Sequence, residues 1–526
     1  MKENRVIHSK NIGSQYSLKQ DFFDFINFMK SNIGLVLANV FFILLTYGLK
    51  LFQYSVSIDT EIILNDQECL LISWIGIGRY GLVLLKYILG TTVFTPYVAT
   101  FLMLSTLLIL NMFLCFSFKY FYLGNLCDDK KFKVGLFLFS AVFVTFPTLA
   151  EQFNFLLQGF EDAVAMFLSV ISAFLLLKWS VSKQTKENML YVLIGLIILV
   201  ISVASYQSIL FFCVSVATAF IILFCVGKRE DTKNISFWSV SFKLGCVFLL
   251  SIFLYFVSNF VVNIFYPKND YLDDKILWGK LPIAGCFDIV CFYFKQVFLG
   301  GNIFFTRYFL VFTIMLVFII LSTKVNYGHK SILLLCLFVF IISPFMQTFC
   351  LGNVTEVRAQ IMLPFVFAVE CMIILIAIDN VIIKNCVMVL CLYIAINQSY
   401  VVNKLFYCEQ MKYEEDVAIA NDIATRVGKL GYGEVPDKPI VFIGIHRPKE
   451  GSINFRGEVL GHSFWEWDGD MIGRKMGLMK VLGYSYMAPS EQQIIKARDL
   501  SKNTPCFPSE GCVVDFRDFI VVKLSD

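Results

Sequence analysis

Residues 188–227 read NMLYVLIGLIILVISVASYQSILFFCVSVATAFIILFCVG and contain no charged side chain. A transmembrane helix needs about 20 apolar residues, so this run is about twice the length that crosses one bilayer. The chain must therefore double back within the run. Its most polar stretch, Ser205-Tyr206-Gln207-Ser208, is the predicted turn and is expected to lie at the outer membrane surface.

The whole chain shares this apolar character. Of its 526 residues, 58% are hydrophobic and 16% are charged, against about 45–50% and roughly 25% in soluble domains. A soluble protein is therefore excluded, and the net charge of +4 is too small to indicate nucleic-acid binding. The N-terminal residues lack the apolar core and cleavage site of a removable signal peptide, so the first apolar span should remain as an anchor.

Apolar windows with few or no charged residues, near the length of a bilayer span, predict about eleven transmembrane helices. They lie near residues 33–53, 95–118, 134–150, 162–178, 189–204, 208–226, 244–266, 307–322, 331–349, 359–378 and 385–403. The expected fold is an all-α polytopic membrane protein with a small extracytoplasmic α/β domain at its C-terminal end.

The distribution of basic residues predicts the orientation. With the N-terminus inside, the inner segments hold 19 Lys and Arg residues and the outer loops hold 8, as the positive-inside rule requires. The predicted domains are a cytoplasmic segment 1–32, a transmembrane domain 33–403 and a periplasmic domain 404–526. The outer loops expected to carry the chemistry are 54–94, 151–162 and 267–306, and the first and third are expected to contain helices lying in the interface plane.

The C-terminal region has an ordinary globular composition. Helical spacing of apolar residues predicts a helix near 408–430, and a second helix is expected near 490–500. Lys438–Gly444 has the pattern of a buried strand, and 512–516 with 519–523 that of a terminal hairpin. These elements predict a small α/β domain.

Two of the sixteen cysteines fall in this predicted outer domain, at Cys506 and Cys512. In an oxidising compartment they would close a disulfide, and this is our prediction for the pair. No cysteine or histidine spacing typical of a zinc site is present. The sequence predicts no particular metal ligands and leaves open whether a divalent metal takes part.

The first outer loop carries the strongest candidates for chemistry. Asp59 and Glu61 directly follow the first span, where ionisable residues are functional candidates, although a solvated loop entrance has the same pattern. Arg79 and Lys86 follow in the same loop. An arginine here either binds a lipid phosphate through a bidentate contact or neutralises the nearby carboxylates.

Other loops supply further candidates at the predicted outer surface. Tyr206 and Gln207 either bind a sugar hydroxyl or satisfy the backbone of their turn, and Glu151 and Asp162 either bind a sugar or form a polar helix start. Arg307 and Arg358 stand where spans begin, as phosphate ligands or as snorkelling anchors. Glu370 lies inside a span, where we expect it to be protonated or partnered within the bundle.

The outer domain contains Phe464-Trp465-Glu466-Trp467-Asp468, with His462 and Arg474 nearby. Flat rings stack on the C–H faces of sugars while carboxylates accept bonds from their hydroxyl groups. Trp465, Trp467 and Asp468 are therefore candidate sugar ligands. Aromatic residues buried in a core beside surface acids would give the same pattern.

Five stretches together resemble the polyprenyl-phosphate-sugar-dependent glycosyltransferases of the GT-C superfamily, and most of all the serotype-converting O-antigen glucosyltransferase family. They are Ser57–Glu61, Trp74–Gly81, Ser205–Gln207, Arg358–Pro364 and Lys438–Gly444. The resemblance extends from the first span into the outer domain and implies a GT-C-like fold with its active site facing the periplasm.

The resemblance also implies a reaction and its partners. Glucose or a similar hexose would move from undecaprenyl phosphate to a sugar of lipid-linked O-antigen, with inversion, in the bacterial inner membrane. A separate glucosyltransferase would make the donor and a flippase would deliver it. Asp59, or alternatively Glu61, would act as the general base. Arg79 or Arg358 would offset the charge left on the phosphate.

Two other classes remain possible from the sequence. A lipid-linked-sugar flippase or transporter would concentrate ionisable residues within its spans, whereas here most acids lie in the predicted outer loops and outer domain. An O-antigen polymerase or ligase would join oligosaccharides from a diphosphate carrier instead. The exact sugar, linkage and acceptor residue do not follow from the sequence.

Overall fold

The computed structural model describes residues 17–124, 129–181, 186–229, 235–323, 327–432, 435–447, 454–467, 469 and 471–526. This part of the chain is predominantly helical and has one small sheet near its C-terminal end. Its first nine helices are α1 Leu18–Ser31, α2 Ile33–Tyr47, α3 Leu49–Phe52, α4 Thr60–Asn65, α5 Gln67–Gly76, α6 Tyr80–Leu89, α7 Pro96–Tyr122, α8 Lys130–Thr145 and α9 Thr148–Asn154.

The remaining helices carry the chain from the second half of the bundle into the C-terminal domain. They are α10 Gly159–Val181, α11 Lys186–Ser205, α12 Ile209–Val226, α13 Phe237–Phe265, α14 Tyr271–Lys275, α15 Ile283–Leu299, α16 Phe309–Ser322, α17 Tyr327–Ile342, α18 Met346–Leu351, α19 Met362–Ala377, α20 Val381–Val427, α21 Ile472–Val481 and α22 Glu491–Leu500. The strands are β1 Ile440–Ile443, β2 Val513–Asp515 and β3 Ile520–Lys523.

The protein is a multi-pass membrane protein. Within the described residues, seven helices are long and apolar enough to cross a bilayer, and nine are if two bent pairs each count as one span. Every predicted window falls on a helix, but α16 and α19 have only 14 and 16 residues, fewer than the roughly 20 that a perpendicular span needs. The count of eleven spans and the inside–outside orientation stay predictions.

The turn predicted inside the long charge-free run is confirmed. Helix α11 ends at Ser205 and α12 begins at Ile209. Both helices pack against α10, so the chain reverses at the polar residues and returns through the bundle. The reversal leaves Tyr206 and Gln207 at one end of the bundle, where they line a cavity described below.

Proline produces a second break, between α8 and α9. The residue before a proline is sterically pushed toward extended backbone, and Phe146 before Pro147 has φ −67° and ψ 128°. The two helices meet at a bend of 53°. Because of this bend, α9, which carries Glu151, does not continue along the axis of α8.

Helix α20 has 47 residues and continues across the predicted domain boundary at 403/404. The helix predicted near 408–430 is therefore the continuation of the last span rather than a separate element. Its final turns bury Ile419, Ile423 and Val427 in the core of the C-terminal domain. Since α20 runs through the predicted boundary without a break, no linker separates the two parts there.

The C-terminal sheet confirms the small α/β domain. Its strand order is β1-β3-β2, with β1 parallel and β2 antiparallel to β3. Alternate residues of β1 face opposite sides, so Ile440 and Phe442 enter one apolar cluster while Val441 and Ile443 enter another that contains Ala497 of α22. Both faces of the strand are covered, and this explains its uninterrupted apolar sequence.

One apolar cluster joins the first outer loop to the C-terminal domain. It contains Ile58 and Trp74 of the loop together with Leu478 of α21 and Trp465. The loop predicted to carry the chemistry is thus packed against a domain that lies more than three hundred positions later in the chain. The helices α4 to α6, α14 and α15 occupy the two long predicted outer loops, and their position in the interface plane stays a prediction.

The predicted disulfide is wrong in this structure, because Cys506 and Cys512 are both free. Their sulfur atoms face different partners. The Sγ atom of Cys506 lies 3.9 Å from Oδ1 of Asp526, whereas that of Cys512 lies 3.6 Å from Nη1 of Arg426. Cys512 is buried and Cys506 is half-buried, so proximity in sequence does not bring the two thiols together.

Candidate functional site

Two neighbouring cavities share a wall, and the first of them lies between the bundle and the C-terminal domain. The first has a volume of about 580 Å³ and the second about 480 Å³. They share a wall that carries three basic side chains and one carboxylate. These shared residues are Arg79, Lys275, Glu356 and Arg358.

The first cavity combines acidic and aromatic side chains on either side of this wall. Asp59 and Trp74 of the first outer loop line it from one side, and Glu458, Trp467 and Arg474 line it from the C-terminal domain. Carboxylates beside aromatic rings make a surface suited to a polyhydroxylated ligand. The structure therefore places Asp59 and Trp467, which the sequence analysis named separately, in the lining of one cavity.

The second cavity lies on the bundle side of the wall and is more apolar. Phe211 and Phe256 line it together with Tyr206 and Gln207 of the predicted turn. Two of its lining side chains, Asn259 and Gln347, each bury an amide oxygen that has no hydrogen-bond partner in the described part of the chain. Buried polar atoms are normally bonded, so these two oxygens lack the partner that such atoms usually have.

Arg474 binds both predicted catalytic carboxylates. Its Nη2 lies 2.6 Å from Oδ1 of Asp59, and its Nη1 lies 2.6 Å from Oε1 of Glu61. The Asp59 side chain is 33% exposed and lines the first cavity, whereas that of Glu61 is 3% exposed and is not among the lining residues. The geometry thus separates the two acids, and only Asp59 faces the cavity.

The backbone at Asp59 is left-handed, with φ 75°. Aspartate tolerates this conformation better than most residues because its short polar side chain can bond locally. Asp59 stands directly before α4, which begins at Thr60. The Asp59 side chain therefore stands at the start of α4 and is partly exposed, whereas Glu61, in the first turn of α4, is buried.

Burial raises the pKa of Glu61, and the charge and hydrogen bond of Arg474 act in the opposite direction without cancelling the effect. Burial also opposes the charge on Arg474, but Asp59 and Glu61 outweigh it and raise the pKa of the guanidinium. Arg474 therefore stays charged and holds the two acids in a fixed geometry.

The turn before α6 positions Arg79. Gly78 has φ +79°, and a Cβ atom there would lie 2.6 Å from Oη of Tyr255, so glycine is required. The guanidinium carbon of Arg79 lies 4.7 Å from the centre of the Tyr206 ring, and its Nη1 lies 3.4 Å from Oε1 of Gln158. Burial raises the pKa of Tyr206 to about 12, so this ring is a neutral platform for the cation.

Arg358 enters the shared wall from the segment before α19. Its guanidinium carbon lies 4.6 Å from the centre of the Phe155 ring, and it forms no ion pair with a carboxylate in the described part of the chain. Lys275 and Glu356 complete the wall as a pair, 2.6 Å from Nζ to Oε1. Arg79 and Arg358 can therefore receive an anion between the two cavities.

Lys86 and Arg307, which the sequence also proposed as phosphate ligands, line neither cavity. Lys86 forms a buried ion pair with Glu161 at 2.9 Å, and both side chains are almost fully buried. Arg307 is exposed and lies beside Gly300. The fold therefore does not place Lys86 and Arg307 in the wall that contains Arg79 and Arg358.

Glu151 and Asp162 are buried outside the first cavity. Oε1 of Glu151 accepts hydrogen bonds from the backbone N–H groups of Glu458 and Val459, at 2.6 and 3.3 Å. Asp162 accepts a bond from the side chain of Gln152. Glu151 thus fastens the C-terminal domain to the bundle, a contact that sequence reasoning did not foresee.

The two tryptophans of the C-terminal domain have different environments. Trp465 is fully buried in the domain core, where its Nε1 donates to the Asp416 carbonyl oxygen at 3.2 Å. Trp467 is half-buried and lines the first cavity. Trp465 is therefore a core residue, as the second interpretation of this sequence pattern expected. Asp468 lies outside the described residues.

Three residues of the site carried no signal in the sequence analysis. Lys275 and Glu356 could have been found as a basic and an acidic residue in predicted outer segments, but nothing marked them as a pair. Glu458 gave no signal at all, since its position depends wholly on tertiary contacts. Within the described residues, no group of three or more His, Cys, Asp and Glu side chains is arranged to hold a metal ion.

Comparison with known proteins supports the earlier resemblance. Residues 48–376 match the family described as Glucosyl transferase GtrII. This range covers more than half of the chain and includes Asp59, Arg79, Lys275 and Arg358, whereas Glu458, Trp467 and Arg474 lie beyond it. No curated protein and no solved structure matches the chain.

Proposed function

Since the chain belongs to the GtrII glucosyl transferase family and is a membrane glucosyltransferase, we propose that it moves glucose from undecaprenyl phosphate to a sugar of lipid-linked O-antigen. The reaction would take place on the periplasmic face of the bacterial inner membrane. A donor-synthesising glucosyltransferase and a flippase would supply the donor. The observation that carries this proposal is the basic wall shared by an apolar cavity and a carboxylate-lined cavity.

The wall fits the phosphate of a lipid-linked donor. The planar cationic group of an arginine binds phosphate oxygens in pairs, and Arg79 and Arg358 supply two such groups. Phe211 and Phe256 make the second cavity suitable for the first isoprene units behind that phosphate. The sugar attached to the phosphate would then project into the first cavity.

Asp59 is the proposed general base in that cavity. Its Oδ1 is bound by Arg474, and the other oxygen has no hydrogen-bond partner in the described part of the chain. The acceptor hydroxyl oxygen attacks the anomeric carbon and passes its proton to Asp59. The bond between the anomeric carbon and the phosphate oxygen breaks, and its electron pair leaves with the polyprenyl phosphate.

A single displacement of this kind inverts the anomeric centre. Arg79 and Arg358 would stabilise the additional negative charge that develops on the departing phosphate, so their contact with the phosphate is stronger in the transition state than in the bound donor. Glu61 stays the alternative base. Glu61 is buried and does not line the first cavity, and both facts favour Asp59 as the base.

Lipopolysaccharide from cells with and without the gene tests the proposal. We expect a side-branch hexose only when the wild-type gene is present, and none when the gene encodes the nearly isosteric Asp59→Asn variant. A changed O-antigen chain length would instead indicate a polymerase or ligase. Loss of surface O-antigen export would indicate a flippase, and either outcome would contradict the proposed reaction.

A further inference from the structure

Segment 457–464 of the C-terminal domain is fastened to the rest of the protein by three buried carboxylates. Glu151 accepts from the N–H groups of residues 458 and 459. Glu409 accepts from Gly461 at 2.5 Å, and Asp416 accepts from Phe464 at 2.8 Å. Each contact pairs a buried carboxyl oxygen with a backbone N–H group. Glu151 of α9 therefore holds the segment against the bundle, and Glu409 and Asp416 hold it against α20.

Close packing supports the same conclusion. A Cβ atom added at Gly457 would lie 2.0 Å from Oε1 of Glu151 and 3.0 Å from the Phe304 ring. Only glycine lets the backbone approach the carboxylate this closely. Glu151 is fully buried, so the contact belongs to the interior of the protein rather than to its surface.

Because this segment is held in place, Glu458 lies in the wall of the first cavity. Its Oε2 accepts the N–H of Val357 at 2.6 Å, directly before Arg358 of the basic wall. Its Oε1 has no hydrogen-bond partner in the described part of the chain. One oxygen therefore fixes the carboxylate beside the wall, and the other is available to a hydroxyl group in the cavity.

Trp467 supplies an aromatic surface to the same cavity. It lies beyond the fastened segment, its ring is 5.1 Å from that of His462 with the planes at 75°, and the residue is half-buried. A ring held in this way offers apolar area without losing much conformational freedom on binding. Glu458 and Trp467 thus provide a hydrogen-bond acceptor and a stacking surface in one cavity.

We propose that Glu458 and Trp467 bind the acceptor sugar, so that the C-terminal domain selects the acceptor while the family-matched region binds the donor. This inference rests on the proposed function. Every basic side chain of the shared wall lies within residues 48–376, whereas Glu458 and Trp467 lie outside that match. The ligand is a hexose that stacks one face on Trp467 and donates a hydroxyl hydrogen to Glu458.

The test measures transfer of labelled glucose from synthetic undecaprenyl-phosphate glucose to lipid-linked O-antigen extracted from the source bacterium. Glu458→Gln is expected to raise the acceptor KM about tenfold to a hundredfold, as for loss of a charged hydrogen bond. The donor KM should stay within about twofold of wild type. Trp467→Ala should raise the acceptor KM, and Trp467→Phe should raise it less because an aromatic ring remains.

Glu510→Gln is the matched control, since Glu510 is an exposed carboxylate of the same domain and lines neither cavity. An unchanged acceptor KM in folded Glu458→Gln protein would overturn the inference. So would a hundredfold loss of kcat with an unchanged acceptor KM, because Glu458 would then be the base. Absence of any transfer by the wild-type protein would contradict the proposed function itself and, with it, this inference.

Discussion

The Nη2 atom of Arg474 lies 2.6 Å from Oδ1 of Asp59. This contact joins the loop of residues 54–94, inside the family match, to helix α21 of the C-terminal domain, which lies beyond the match. Because Arg474 also binds Glu61, removal of the C-terminal domain would leave two neighbouring carboxylates without their shared cation. The loop and the domain are therefore joined through Arg474.

Asp59→Asn tests the proposed base. Asparagine keeps the size of the side chain but accepts no proton, so kcat should fall about 10²–10⁴-fold. Glu61→Gln is expected to reduce turnover much less, since its side chain is outside the cavity. Turnover is measured with labelled polyprenyl-phosphate glucose after thermal stability has been compared with that of wild type.

Asp288→Asn is the control for this pair, because Asp288 is an exposed carboxylate of α15 and lines neither cavity. Near wild-type turnover in both Asp59→Asn and Glu61→Gln would refute the site assignment. If Glu61→Gln alone loses turnover, the base is Glu61 rather than Asp59.

Arg474→Gln should destabilise the protein in a pH-dependent manner. Burial already raises the pKa of Glu61, and Arg474 opposes that effect, so its removal raises the pKa further. Above this pKa the variant contains a buried carboxylate without its cation, and below it the carboxyl group is neutral. The loss of melting temperature relative to wild type should therefore be largest near neutral pH and should shrink as the pH falls towards 5.

Melting curves of both proteins from pH 5 to pH 8 measure this difference. Arg517→Gln is a suitable control, since Arg517 is an exposed arginine of the same domain. A difference in melting temperature that is constant across this range would show that Arg474 acts through packing rather than through the charge of Glu61.

The sequence predicted the long helices, the reversal at residues 205–208 and the strands of the C-terminal domain, because each depends on local composition or periodicity. It did not separate Arg79 from Lys86, although the two lie in one loop. Lys86 comes seven residues later on α6, about 10 Å further along the helix axis, and there it meets Glu161 instead of the cavity. Trp465 and Trp467 show the same limit, since only the tertiary fold decides which of two nearby rings is buried.

Arg79→Gln and Arg358→Gln should each impair the step that releases the polyprenyl phosphate. Removing one group that stabilises developing charge typically lowers kcat about 10²–10³-fold. Arg358→Lys should recover only part of the loss, because lysine lacks the planar fork that stacks on Phe155 and binds two oxygens. Single-turnover transfer from labelled donor measures this step directly.

Arg447→Gln controls for loss of a positive charge, because Arg447 is exposed and lines neither cavity. If Arg79→Gln and Arg358→Gln both transfer glucose at the wild-type rate, the shared wall does not bind the phosphate. The donor would then have to occupy another part of the protein.

Lys86→Met should weaken the fold and leave the donor KM unchanged. Lys86 and Glu161 are 3% and 2% exposed, and removing one partner of a buried pair typically costs about 3–5 kcal/mol because the other charge is left uncompensated. The double variant Lys86→Met/Glu161→Gln should recover most of the stability, since neither side chain then carries a charge. Melting temperatures of the single and double variants in the same detergent measure the effect. An unchanged melting temperature together with a raised donor KM would instead indicate that Lys86 binds the donor phosphate, as the sequence predicted.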